Sequence, residues 1–194
     1  MSDVIKDGTG QGFLAKINKD NQLVTRATAV EQRLKSASDG NYFEATTGKV
    51  TLANTTETGI IYLKNTNTSG LILVIDRVFW DFFTSTDGTG ADGTLIYYKN
   101  PTITGGTDIV PNNTNFSSTK SALGDFKKSL TAISGTAWWT AYITDKQSIA
   151  LDEGRIVLGV NDTFGISISA PTGNTSMVVA VNVAFYYLDA ELLD

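Results

Sequence analysis

The chain has 194 residues, with 15 Lys and Arg against 20 Asp and Glu, a formal net charge of −5, and neither histidine nor cysteine. That excludes Ser-His-Asp and Cys-His catalysis, histidine-ligated zinc or iron, thiolate metal sites and a disulfide-stapled scaffold, and the acidic balance gives no general affinity for nucleic acid. Hydrophobic residues make up 41% and charged residues 18%, and Thr, Ser, Asn and Gly fill the remainder, a mixture suited to strands and turns.

Residues 1–40 read as an extended N-terminal arm. "GFLAKI" and "QLVTRAT" form a short hairpin pattern around the turn "NKDN", and "AVEQRLKSASDG" holds a helical turn ended by Asp39-Gly40. An isolated hairpin is marginal in water, so the arm needs a surface to lie on. Its apolar residues Phe13, Leu14, Ile17, Leu23 and Val24 are too few for a core of their own. They are the expected docking residues, and Glu31, Arg33 and Lys35 read as the linker into the next domain.

From 41 to 194 one strand follows another. "NYFEAT", "KVTLAN" and "GIIYLKN" come first. "LILVIDRVFWDFF" (71–83) is apolar on both sides; a strict period of two puts Val78, Trp80 and Phe82 on one face, and Ile75, Phe79 and Phe83 with Arg77 and Asp81 on the other. "TLIYYKN" follows, and 101–136 is looser. "AWWTAYI", "SIAL", "GRIVL" and "FGISIS" are short strands. "SMVVAVNVAFYYL" (176–188) alternates throughout, with Met177, Val179, Val181, Val183, Phe185 and Tyr187 on the core side. About eight closely spaced strands predict an all-β fold, an antiparallel jelly-roll-like β-sandwich carrying the arm; an immunoglobulin-like sandwich is the second choice. No apolar run is long enough to span a membrane, and no signal-peptide pattern opens the chain, so synthesis in the cytoplasm is expected.

The groups that could carry chemistry have plainer readings. Asp76 and Asp81, five apart on one strand, point to opposite faces and do not form a glycosidase pair. Asp152 and Glu153 read as turn acids. The loop "DGTGADG" (87–93) lacks the spacing of an EF-hand, and "GTGQG" (8–12) lacks the strand and helix that a dinucleotide fingerprint needs. Trp138 and Trp139 are adjacent, so one should fill the core while the other faces solvent, a loop or a partner. Lys120, Lys127 and Lys128 are too sparse for a nucleic-acid stripe. Neither cofactor nor metal is expected.

"KDGTGQGFLAKINKDNQL" (6–23), the "EQ" after it and the turn in "ATTGKVTL" (45–52) resemble the opening of a group of tailed-bacteriophage virion proteins. "EGRIVLGVNDTFGISISAPTGNTSMVVAVNVAFYY" (153–187) resembles the closing strands of their jelly-roll domain. The resemblance covers both ends of the chain and not 85–136. It implies a non-enzymatic virion structural protein, a capsid decoration or cement protein on the outer shell, with the major capsid protein and itself, as a homotrimer, for partners. Two other classes remain open: a tail, baseplate or head-fibre component binding a host receptor glycan through the 85–93 loop or the tryptophans, and a carbohydrate-active enzyme with a carboxylate pair.

Overall fold

In the computed structural model, residues 16–17, 23–24, 32–52, 57–84, 93–143, 148–169 and 177–189 are described. Two compact units divide the chain at Glu31/Gln32. In the first, β1 (Lys16–Ile17) pairs antiparallel with β2 (Leu23–Val24), Ile17 opposite Leu23 and Lys16 opposite Val24. The division falls before the helix α1 (Gln32–Ser38), so residues 32–40 belong with the sandwich.

The second unit is built around β13 (Met177–Asp189). Its odd-numbered side chains from Met177 to Tyr187 are all buried, as the alternation predicts. β13 pairs on one side with β3 (Tyr42–Leu52) and on the other with β5 (Leu71–Thr84), and β11 (Ser148–Leu158) pairs with the far side of β5. The facing sheet is centred on β12 (Thr163–Ser169), between β4 (Thr58–Asn65) and β6 (Gly93–Thr104), and β10 (Ala132–Ile143) lies outside β6. The two sheets therefore run β3-β13-β5-β11 and β4-β12-β6-β10. Successive strands cross from one sheet to the other, except that β6 and β10 are neighbours in the same sheet. This connectivity is a jelly roll. Phe43, Trp80, Leu95, Tyr97, Ile166, Val181 and Phe185 fill the space between the sheets.

Between β6 and β10 the chain inserts β7 (Thr107–Asp108), β8 (Asn112–Asn113) and β9 (Gly124–Leu130). β9 adds to the free side of β4, β7 to β9, and β8 to β3, so this looser stretch wraps one edge of the sandwich.

Irregularities change several expectations. β5 has a bulge at Asp76: β13 pairs Ala184 with Arg77 but Phe185 with Ile75. The extra residue shifts the parity, so Ile75 joins Val78, Trp80 and Phe82 in the core instead of standing on the opposite face. The segments 41–46 and 49–54 are not two strands. β3 runs through the turn-like "TG", with Gly48 at φ 62°, a conformation glycine takes readily. "SIAL" and "GRIVL" also join into one strand, β11, and Asp152 and Glu153 lie inside it at an irregularity, not in a turn.

The outer half of β5 is covered from within the chain. Ile72 and Val74 pack with Tyr42, Ala184 and Tyr186, and with Ala37 of α1. Gly40, at φ 70°, ends α1: the Asn41 amide donates to the Ser36 carbonyl (2.7 Å) and the Gly40 amide to that of Ala37 (3.1 Å). This is the Schellman arrangement, and it explains why Asp39-Gly40 reads as a helix stop. Ile72 and Val74 are thus covered from within the chain, whereas Phe79, on the same outer face, stays half-buried.

Candidate functional site

Asp76 and the three lysines make structural contacts. Asp76, buried at its bulge, accepts a hydrogen bond from the Tyr42 hydroxyl at 2.6 Å and faces the Arg33 guanidinium at 3.8 Å. Burial, and then the Asp76 carboxylate, push the Tyr42 phenol up. The bulge brings Asp76 to the outer face, the face that strand parity gives Asp81, which corrects the expectation of opposite faces. Five residues of strand still separate them by roughly 16 Å, too far for a carboxylate pair. Glu57 accepts from both Tyr98 and Ser167.

Lys120 and Lys128 hold the insertion to its neighbours, and Lys127 ties β9 to β7 within it. Lys120 donates to the Asp39 carbonyl and Asn41, Lys127 pairs with Asp108 at 2.6 Å and Asp125 at 3.3 Å, and Lys128 donates to the Thr47 carbonyl. Among the described residues no three acidic side chains gather as they would around a metal ion, and no helix is long and apolar enough to cross a membrane.

What remains is a surface at the opposite edge, on β10. A second bulge there, between Ala137 and Trp139, makes Trp138 the extra residue. The two tryptophans therefore do not take opposite faces. Both approach Tyr97, Trp139 at 5.0 Å between ring centroids and Trp138 at 6.4 Å, the latter stacked at 25°. Trp139 is half-buried against Trp80, while Trp138 keeps 54% of its surface exposed. The split between core and surface is as expected; its cause is the bulge, which the residue types alone do not signal.

Beside Trp138 lies a groove of about 200 Å³, lined by Ile156, Leu158 and Phe164 with Lys99 and Asp162 among its polar groups. Its end of the sandwich is fastened by Asn65. That side chain donates to the carbonyls of Leu71 and Leu158, both at 3.0 Å, and accepts from the Asn67 amide at 3.0 Å. The Asn65 backbone also exchanges hydrogen bonds with Asn161 and Asp162 in the turn before β12. The turns after β4 and after β11 are so locked together.

Of the expected docking residues, Ile17 lies in β1 and Leu23 and Val24 in β2. Phe13 and Leu14 lie outside the described residues, as do Gly8, Gly10 and Gly12 and the tip of the 85–93 loop.

No protein-family model and no curated protein matches the chain. Among solved structures it is similar to the BFDV capsid protein in its 60-mer form, at 10% identity and a TM-score of 0.26, over 76% of this chain and 93% of that one. A likeness that loose bears on neither partner nor role; the jelly roll rests on the strand order itself.

Proposed function

We propose that this chain is a virion structural protein of the jelly-roll decoration or cement type. In this reading it binds the outer surface of a tailed-phage capsid, after synthesis in the host cytoplasm, and it has no catalytic role. Its partners are the major capsid protein and further copies of itself, with a homotrimer expected. The supporting observation is where the virion-like segments fall. Residues 45–52 lie within β3, and 153–187 run from β11 through β12 to β13, so the resemblance follows the jelly-roll frame and not isolated turns. The arm supplies the docking element, through Phe13, Leu14, Ile17, Leu23 and Val24, by adding strand to an exposed edge or filling shallow pockets.

Mixing purified protein with capsid shells that lack it tests this reading. Full-length protein should decorate the shells to a fixed occupancy, and protein without residues 2–31 should not. Equal occupancy by both would sink the docking role of the arm, and no binding by either would sink the cement reading.

A second reading is favoured by one observation, the exposed ring of Trp138 beside Lys99, Asn100 and Asp162. An aromatic platform with flanking polar groups suits a sugar ring, as in a fibre or tail component that binds a host glycan. Binding on a glycan array that Trp138→Ala abolishes would favour this over the shell.

A further inference from the structure

The two edges of the sandwich are finished differently. On the β3/β4 side the insertion adds β9, then β7 and β8 of two residues each. That edge ends in strands too short to template another chain, and Asp108, Asp125, Lys127 and Lys128 stud it with charge. On the other side, among the described residues, β10 pairs only with β6. It is a 12-residue strand, "AISGTAWWTAYI", without a charged residue or a proline. Soluble monomers avoid an edge of this kind, because its outward backbone groups stand ready to pair.

The bulges at 134–136 and 137–139 break the first half of β10, but Trp139 to Ile143 pair with β6 in unbroken register. Along that half the outward N–H and C=O groups keep ladder geometry. Tyr142 is 80% exposed and Trp138 54%, with Thr140 also outside. Exposed Val157 lines the groove beside Trp138.

We propose that the β10 edge, anchored by Trp138 and Tyr142, is where a second copy of this chain docks. The inference rests on the reading that the protein self-assembles, and it names the surface used. The occupant follows from charge. A chain of net charge −5 repels its own copies wherever charged surfaces meet; the uncharged β10 edge lets two copies approach without that repulsion. An acidic or basic partner would find no opposite charge on it. The strand offers the contents of an interface core, two aromatic anchors and backbone groups that a neighbour's strand can satisfy, and Lys99 and Asp162 beside Trp138 form a rim of opposite charges.

Sedimentation equilibrium of the full chain at micromolar concentrations tests this, alongside Thr140→Lys/Tyr142→Lys and a control on the covered edge, Phe116→Lys, whose ring is fully exposed. Wild type and control should sediment as the same oligomer. The double variant should dissociate at least about 30-fold more readily, since interface anchors carry that much, with its melting of the monomer fold retained. A double variant that assembles like wild type overturns the proposal, as does a wild type that is monomeric throughout. If the double variant fails to fold, hydrogen exchange on wild type decides, read at the alternate amides of 139–143 that point away from β6: protection there that is lost on dilution supports the contact, and exchange there that does not change with concentration overturns it. None of these readouts involves a capsid, so failure of shell binding and failure of this contact are separate results.

Discussion

Tyr97 lies at the centre of the aromatic core, edge-on to Trp80 and Phe164 and tilted against Trp139, yet its hydroxyl meets no protein partner among the described residues. A buried hydroxyl without a partner is destabilising by about 1–3 kcal/mol. Tyr97→Phe is therefore expected to keep or raise the melting temperature, as read by calorimetry; a drop of several degrees would mean the hydroxyl is bonded. Burial raises the phenol pKa of Tyr97, and also those of Tyr42, Tyr62, Tyr98 and Tyr187. In the unfolded chain phenols ionise near pH 10. Above that the unfolded state binds fewer protons than the folded state, so stability is intact below about pH 10 and falls as pH rises beyond it. The urea midpoint should be steady from about pH 8 to 10 and decline by pH 11, less steeply in Tyr97→Phe. Val181, fully buried on β13, gives the opposite test of the core. Val181→Asp should cost several kcal/mol by burying an unpaired charge, and a variant melting within a degree or two of wild type would refute the face assignment.

The elements of the chain differ in how openly the sequence announces them. β13 is legible because one strand, paired on both sides and buried on one face, leaves an unbroken period of two. α1 is legible at its end, because a left-handed stop calls for Gly40. β5 is legible as a strand but not in its faces, since nothing in "VIDRV" marks Asp76 as the extra residue that flips Ile75 inward. The same holds for Trp138, whose position depends on pairing with β6, a partner distant in sequence. In the insertion, β7 and β8 stay hidden because strands of two residues carry no period at all, and β9 because "GDFKKSL" has only Phe126 and Leu130 as apolar residues. Asn65 is also invisible in sequence, since an asparagine among "NTNTSG" reads as an ordinary turn residue, although it ties two turns of opposite sheets together. Asn65→Ala should lower unfolding free energy by about 2 kcal/mol, leaving two carbonyls and an amide short of partners. Asn65→Asp should cost more, because it turns a carboxylate oxygen toward those carbonyls. Urea denaturation of the pair checks this, and equal stability of both variants with wild type would deny the fastening role.

For the whole molecule, the position of α1 sets where the arm can be cut. Removing 2–31 spares α1 and should leave melting nearly unchanged, whereas removing 2–38 uncovers Ile72, Val74, Tyr42 and Tyr186 and should destabilise the sandwich measurably. Thermal melts of the two truncations separate the arm from the fold; equal melting would mean α1 contributes no cover. The proposed working molecule is then a rigid jelly roll with an arm for the shell at one extreme of the sequence and an uncharged β10 edge for its own copies. Its central claim is a location. Cryo-electron microscopy of tailed-phage capsids decorated with this chain tests that proposal most directly. The claim predicts jelly-roll density on the outer face of the capsid, with residues before 32 continuing into the shell or an adjacent subunit. Density for this chain confined to the tail, or its absence from the particle, would contradict it.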